Sequence, residues 1–307
     1  MAGRWKRLLI PHALLLALVL VITLAPKLRP GLSSCAALLA AVGVMEGLFL
    51  LFLCRAWRRG ESGTACLDII LLVWALLLAW ELYTSVWHRA HPVLVPAPEN
   101  VFDTFREQGP TLLQNVWYSL LLLAVGFSLG LCLAVLLGLV AGWYPRLRGF
   151  AYPIANVMAP IPPVVFSPYL VALMPSFRSA SALVIVLGVF WPTFLGTINR
   201  VAGIEPQILD SARMLRPSSR VMIFHILLPY ILPGVVSGLK VSLTTSLLML
   251  NFAELMGATH GMGYYVQNSI AYANYAHAVA GIIIIGVVVT ILCALVTQLQ
   301  RRLVRWH

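Results

Sequence analysis

The side chains of this chain that could do chemistry are few and widely spaced. Its seven histidines include no HExxH pair, and its five cysteines (Cys35, Cys54, Cys66, Cys132 and Cys293) include no CxxC pair. Neither set has the spacing of a zinc or redox site. The cysteines sit in or beside apolar runs and read as small core residues. Gly126-Phe127-Ser128-Leu129-Gly130 matches GxSxG, the elbow that lifts a nucleophilic serine out of a strand-to-helix turn. Here it lies inside a long apolar run. Helix packing is the expected role of its glycines, and an intramembrane hydrolase built on Ser128 is the competing reading. No GxxxxGK[ST] loop occurs to cradle nucleotide phosphates. The chain is therefore expected to catalyse no bond chemistry and to bind no metal or cofactor itself.

What remains is charge in apolar surroundings, where an ionisable group is costly and tends to serve function. Glu46 falls in the middle of an apolar run and is expected to pair with a neighbouring helix. Glu81 lies beside an aromatic collar of Trp80, Tyr83 and Trp87 and is expected to reach the lipid–water interface. Glu254, after Asn251, is a candidate to gate or line a pathway. Lys240 lies on the same run; it either attracts an anion or extends toward the cytoplasm, the second being expected. Asn156 and Ser167 are candidate polar lining groups in a proline-rich run.

The segments that position these residues leave too little polar surface for a soluble domain. The chain is 61% hydrophobic and 10% charged, which makes it an all-α, polytopic helical membrane protein. Apolar runs near 8–25, 34–54, 65–87, 115–141, 150–173, 180–198, 230–250 and 276–299 predict eight spans. Most are roughly 18 to 26 residues long, enough to cross roughly 30 Å of hydrocarbon. With the N-terminus in the cytoplasm, the basic clusters at 4–7, 55–59, 146–148, 200–220 and 301–305 all fall inside, whereas Lys27, Arg29, Arg89, Arg106 and Arg178 lie outside. This asymmetry predicts both termini in the cytoplasm. The first segment resembles a secretory signal, but Pro26 follows any plausible cleavage point near Ala25 and further spans follow, so an uncleaved first helix is expected.

Residues 1–60 predict an accessory helical hairpin turning at 26–31, and residues 61–307 the main transmembrane body. Val101, Phe102 and Phe105 share one face of a short amphipathic helix expected on the outer surface. Gly126, Gly130, Gly138 and Gly142 form two small-xxx-small pairs that allow close helix approach in lipid, and Gly234 and Gly238 form another. Pro153, Pro160, Pro162, Pro163 and Pro168 break the fifth span. Its freed carbonyls must meet protein or water, as in a cavity-lining segment.

One polar, basic island interrupts the apolar pattern at about 200–229, on the cytoplasmic side by the charge count. Glu205-Pro206 reads as a helix start, with Ile208, Leu209, Ala212 and Leu215 as an apolar stripe. Arg216 precedes Pro217 and ends that helix. A second short helix is expected from Pro217-Ser218-Ser219, and Pro229 is expected to start the next span.

The island resembles the Glu-Ala-Ala loop of ABC importer permeases. Asp210-Ser211-Ala212 stand where Glu-Ala-Ala is usual, and Ile226-Leu227-Leu228-Pro229, then Leu232-Pro233-Gly234, follow at the expected distance. Other stretches are similar to the sulfonate/taurine/nitrate-type branch: Ala79-Trp80-Glu81-Leu82, Leu94-Val95-Pro96-Ala97-Pro98, Pro160-Ile161-Pro162-Pro163 with Pro168, Ala253-Glu254-Leu255 and Gly261-Met262-Gly263-Tyr264. The likeness covers about residues 65–307, and each motif is weak alone but specific in this order. Arg216 departs from the loop's usual glycine, so its turn is expected to be made differently.

The resemblance implies a type I ABC importer transmembrane domain in a bacterial inner membrane, working by alternating access. It implies a cytosolic ABC ATPase dimer, which carries ATP and Mg, an extracytoplasmic substrate-binding protein, a second permease copy and membrane lipid as partners, with no nucleic acid. The coupling residues it implies are Asp210, Ser211, Ala212, Arg213, Leu215, Arg216, Ile226, Leu228 and Pro229. Arg213, Arg216 and Arg220 either meet acidic groups on the ATPase or contact lipid headgroups. The implied substrate is a small solute, with anions foremost. From the residues alone the alternative is an ion-gradient-driven secondary transporter or channel, in which the broken helix and Glu46 or Glu254 serve ion coupling.

Overall fold

The computed structural model describes residues 2–24, 35–58, 63–87, 91 and 93–303, and these are helical with no strand among them. The helices are α1 (Ala2–Leu24), α2 (Ala36–Arg58), α3 (Thr64–Glu81), α4 (Pro98–Glu107), α5 (Gly109–Trp143), α6 (Pro145–Met158), α7 (Ser167–Leu173), α8 (Phe177–Ala202), α9 (Pro206–Met214), α10 (Ser219–Val221), α11 (Leu228–Leu255), α12 (Met262–Ala271) and α13 (Tyr275–Leu303). Two compact units result, Met1–Leu112 with Val266–Ile283, and Leu113–Tyr265 with Ile284–His307. The expected turn at 26–31 and the cleavage point near Ala25 lie outside the described residues.

Six described helices are long and apolar enough to span a membrane, or seven if α6 and the 163–173 segment, bent by 83°, count as one broken span. Of the eight spans predicted above, six or seven are thus of membrane length among the described residues. The 8–25 run is present as α1, but its described apolar stretch, Leu9–Leu24, is shorter than the others.

In the first unit, α1, α2 and α3 share a core around the fully buried Trp74, with Leu18, Ile22, Leu38, Phe49 and Leu53. His12 on α1 lies 3.4 Å from Glu46 on α2, so Glu46 does meet a neighbouring helix. α3 runs into a π-helical turn, Leu82–Val86. Here the expectation for Glu81 fails. Its carboxyl is fully buried beside the equally buried Glu99, because α4 covers the end of α3. The amphipathic α4 forms as expected, yet it turns Glu99, Val101 and Thr104 inward, so it packs on α2 and α3 rather than lying on a surface. Trp80 Nε1 donates to the Pro96 carbonyl at 3.0 Å and ties the approach to α4 down.

In the second unit the glycines of α5 perform as predicted. A Cβ at Gly126 would fall 2.9 Å from the Ile185 side chain, at Gly130 2.9 Å from the Val186 carbonyl, at Gly138 2.7 Å from Thr197 and at Gly142 2.7 Å from Val201. α5 and α8 are thus seated along one glycine seam, which in lipid replaces hydrophobic drive by close packing. Leu122, Ile185, Val189, Leu243, Leu247 and Leu250 form a core that joins α5, α8 and α11. Leu292 and Val296 of α13 close over it.

Candidate functional site

The polar, basic island folds as an elbow between α8 and α11. α8 stops at Gly203, whose N–H donates to the Asn199 carbonyl at 2.9 Å. Ile204 then tucks inward at 4% exposure. Glu205 caps α9 with Pro206 at its first position, as the sequence predicts. α9 lays Leu209 and Ala212 against a cluster of Leu139, Val201, Ile204, Met222, Ile223, Leu227 and Ile231. The predicted apolar stripe is therefore divided: Ile208 and Leu215 point outward. Ala212, one of the implied coupling residues, helps seat the helix on this cluster. Asp210 pairs with Arg213 at 3.1 Å on the exposed face, and the Arg213 guanidinium also sits over the Trp143 ring, 5.9 Å from its centroid. The Ser211 hydroxyl donates back to the Gln207 carbonyl at 2.7 Å.

The tip of the elbow is Met214, 87% exposed, and Leu215, 82% exposed. Arg216 follows with φ of 43°. Arginine thus adopts the left-handed conformation that glycine takes at low cost, so the turn is made in the glycine manner and not by another route. Arg216 and Arg220 are exposed and in no ion pair among the described residues. Ser218 caps the next turn, its Oγ accepting from the Val221 N–H at 3.5 Å.

The second short helix predicted after Pro217 does not stand apart. α10 passes through a π-helical turn, Met222–Leu227, directly into α11, so Ser219–Leu255 is one continuous span. Pro229 therefore lies inside a helix that has already begun. The widened turn just before it already breaks the regular i→i−4 ladder, so the N–H that proline lacks is not missed. Ile226 and Leu228 pack on the elbow's core, while Pro229 is exposed.

The candidate pathway residues do not form one cluster. Asn156 is exposed on α6, and Ser167 is buried with its hydroxyl unpartnered among the described residues. Asn251 Nδ2 donates to the Leu247 carbonyl of its own helix at 3.0 Å. Glu254 is 2% exposed at the end of α11 opposite the elbow. Its carboxylate accepts from the Ser119 hydroxyl at 2.6 Å and from the Gly263 N–H at 2.8 Å. Ser119 Oγ in turn accepts from the Met262 N–H at 2.8 Å, and Asn115 Oδ1 from the Gly261 N–H at 2.8 Å. Gly261, at φ of 125°, leaves no room for a Cβ over that carboxylate. Glu254 thus ties the turn after α11 and the start of α12 to α5. Asn115 and Ser119 were missed in the sequence; their only signal is two polar residues four apart on one face of an apolar span.

Membrane-length helices carrying an exposed elbow rooted in their own core suit a membrane transport component. The chain belongs to the family of binding-protein-dependent transport system inner membrane components, whose model matches residues 134–306. It is similar to the aliphatic sulfonates transport permease SsuC of Bacillus subtilis, 28% identical over 81% of this chain and 91% of that one. It is 27% identical to the taurine transport permease TauC of Escherichia coli, over 82% of this chain and 93% of that one. The nitrate import permease NrtB of Leptolyngbya laminosa is 26% identical over 80% of this chain and 88% of its own. In fold it matches the MetNI methionine ABC transporter, in inward-facing conformations, with a TM-score of 0.53 and 17% identity over 65% of this chain and 97% of that one. The chain is the permease subunit of an ABC importer, a transport component and not an enzyme, with the type I transmembrane fold. An ATPase and a substrate-binding protein are its implied partners, and the inner membrane its place. The ion-gradient transporter is set aside.

Proposed function

We propose that the chain imports a small oxyanionic solute, a sulfonate or nitrate, and that ATPase subunits drive it through the 205–229 elbow. The observation that carries the coupling role is the tip at Met214 and Leu215, two apolar side chains 87% and 82% exposed on a helix whose other face is seated in the core. Such a tip suits a groove on a partner. A push on it passes through the apolar cluster and along the unbroken helix into α11. Arg216 and Arg220 flank the tip and complement acidic groups on the ATPase. The substrate reading rests on the relatives, which are named for sulfonates, taurine and nitrate.

Two copies of the chain share the pathway, two ATPase subunits bearing ATP and Mg dock on the elbows, and the binding protein docks on the opposite, outer face. Both termini lie in the cytoplasm, and lipid surrounds the spans. A photo-crosslinking residue at Ser211 or Leu215, with the cognate ATPase coexpressed, is expected to capture the ATPase in a yield that changes with ATP. Capture of no ATPase from either position overturns the coupling assignment.

A further inference from the structure

Gly234 and Gly238 on α11 match the spacing of a helix seam, but what lies over them is a charge. A Cβ added at Gly234 would fall 2.8 Å from Nε of Arg200, and one at Gly196 2.9 Å from Nη1 of the same side chain. Nη2 lies 3.8 Å from the corresponding point at Gly238. Arg200, near the end of α8, does not extend toward the elbow as a snorkelling side chain would. It folds back along its own helix, and three glycines make the space. The groove it occupies holds about 200 Å³ and is walled by Leu131 of α5, Pro192 and Thr193 of α8, and Val235, Val241 and Ser242 of α11. No carboxylate lines it. Arg200 takes part in no ion pair among the described residues.

A half-buried guanidinium between two membrane-length helices, with no carboxylate beside it, favours a counter-charge. Its planar fork matches two oxygens of one oxyanion, and the Thr193 and Ser242 hydroxyls stand in the same walls as further donors. The volume is below that of a drug-sized pocket and suits a compact head group. We propose that the Arg200 groove between α8 and α11 is a binding site for a small oxyanion, held by the guanidinium with Thr193 and Ser242. The oxyanion comes either from a soluble anion of the transported class or from the phosphate of an anionic lipid. The site is separate from the elbow and adds a ligand contact to the import reading on which its physiological use rests.

The test uses the full chain in nanodiscs without any ATPase, so its outcome is independent of coupling. In phosphatidylcholine discs, methanesulfonate, nitrate and inorganic phosphate are titrated and binding is read calorimetrically. In discs containing phosphatidylglycerol, retained lipid is counted by native mass spectrometry. Arg200→Gln is expected to weaken binding at least tenfold in one arm or both, and Arg200→Lys to retain part of it. Gly234→Ala keeps the charge but takes the guanidinium's seat, and is expected to match Arg200→Gln. Because the clash at Gly234 is with a flexible side chain, that variant tests the site even if Arg200→Gln fails to fold. A loss in the soluble arm names the free anion and a loss in the lipid arm the headgroup. Variants indistinguishable from wild type in both arms overturn the proposal.

Discussion

The two ends of α11 are held by different forces. At the elbow, apolar side chains of α9 and the 222–231 segment rest on Leu139 and Val201, and the ion pair of Asp210 with Arg213 is exposed. At the other end, Glu254, Ser119 and Asn115 take up the N–H groups of Gly261, Met262 and Gly263 in a buried polar network. Apolar contact is non-directional and tolerates small slides. A buried hydrogen-bond network has one good geometry and is expensive to leave half made. The elbow therefore tolerates displacement, and the far end resists it.

The comparison breaks most visibly at Glu254. Glu254→Ala leaves the Ser119 hydroxyl and the Gly263 N–H buried without an acceptor, a cost of about 4 kcal/mol in unfolding free energy. Denaturant unfolding of the detergent-solubilised protein measures it, and a loss below about 1 kcal/mol would mean water or a neighbour replaces the carboxylate. Glu254→Gln keeps one acceptor and is expected to lose about half as much. At the elbow end, Leu139→Ala empties a fully buried position at a cost of about 3 kcal/mol. Because that cavity lies under α9, the same variant is expected to speed proteolysis or hydrogen exchange in 205–228, whereas Glu254→Ala leaves that segment's exchange unchanged. Equal effects on the elbow from both variants would erase the distinction between the two ends.

Much of this contrast is local on one side and long-range on the other, which decides what could be read in the sequence. Apolar runs place the spans because bilayer thickness sets their length. Glu205-Pro206 marks the start of α9 because capping chemistry involves adjacent residues. The glycines of α5 announce their seam by spacing alone. By contrast Glu254 finds its partners across a separation of 135 residues, and nothing near it in the chain distinguishes a staple from a pore lining. Glu81 reads as interfacial until α4 covers it. Pro229 reads as a helix start, because a π-helical turn that accommodates proline leaves no compositional mark. Arg200 and the glycines of α11 each have an ordinary local meaning, and only their meeting in space gives the groove.

The turn at Arg216 sharpens the picture at smaller amplitude. A non-glycine residue at φ of 43° carries a conformational cost that glycine avoids, partly offset by glycine's greater freedom in the unfolded chain. Arg216→Gly is expected to stabilise the protein by about 0.5 kcal/mol, read as a small rise in the unfolding midpoint. A loss of stability would show that the arginine side chain, and not only its backbone, holds the tip.

The smallest effect on stability is expected where the effect on coupling is largest. Leu215 is 82% exposed and contributes no buried contact to α9, so Leu215→Ser should change unfolding free energy by no more than about 0.5 kcal/mol. If the tip is the surface a partner grips, the same substitution removes apolar area from the middle of that contact. Transport and binding-protein-stimulated ATP hydrolysis by the reconstituted complex are then expected to fall together, while the isolated ATPase is unaffected. Ser119→Ala makes the mirror experiment at the far end of α11: stability falls, and any loss of coupling should follow the fraction folded. A Leu215→Ser complex that transports at the wild-type rate would place the moving contact elsewhere on the cytoplasmic face, and the difference between the two ends of α11 would then be one of stability alone.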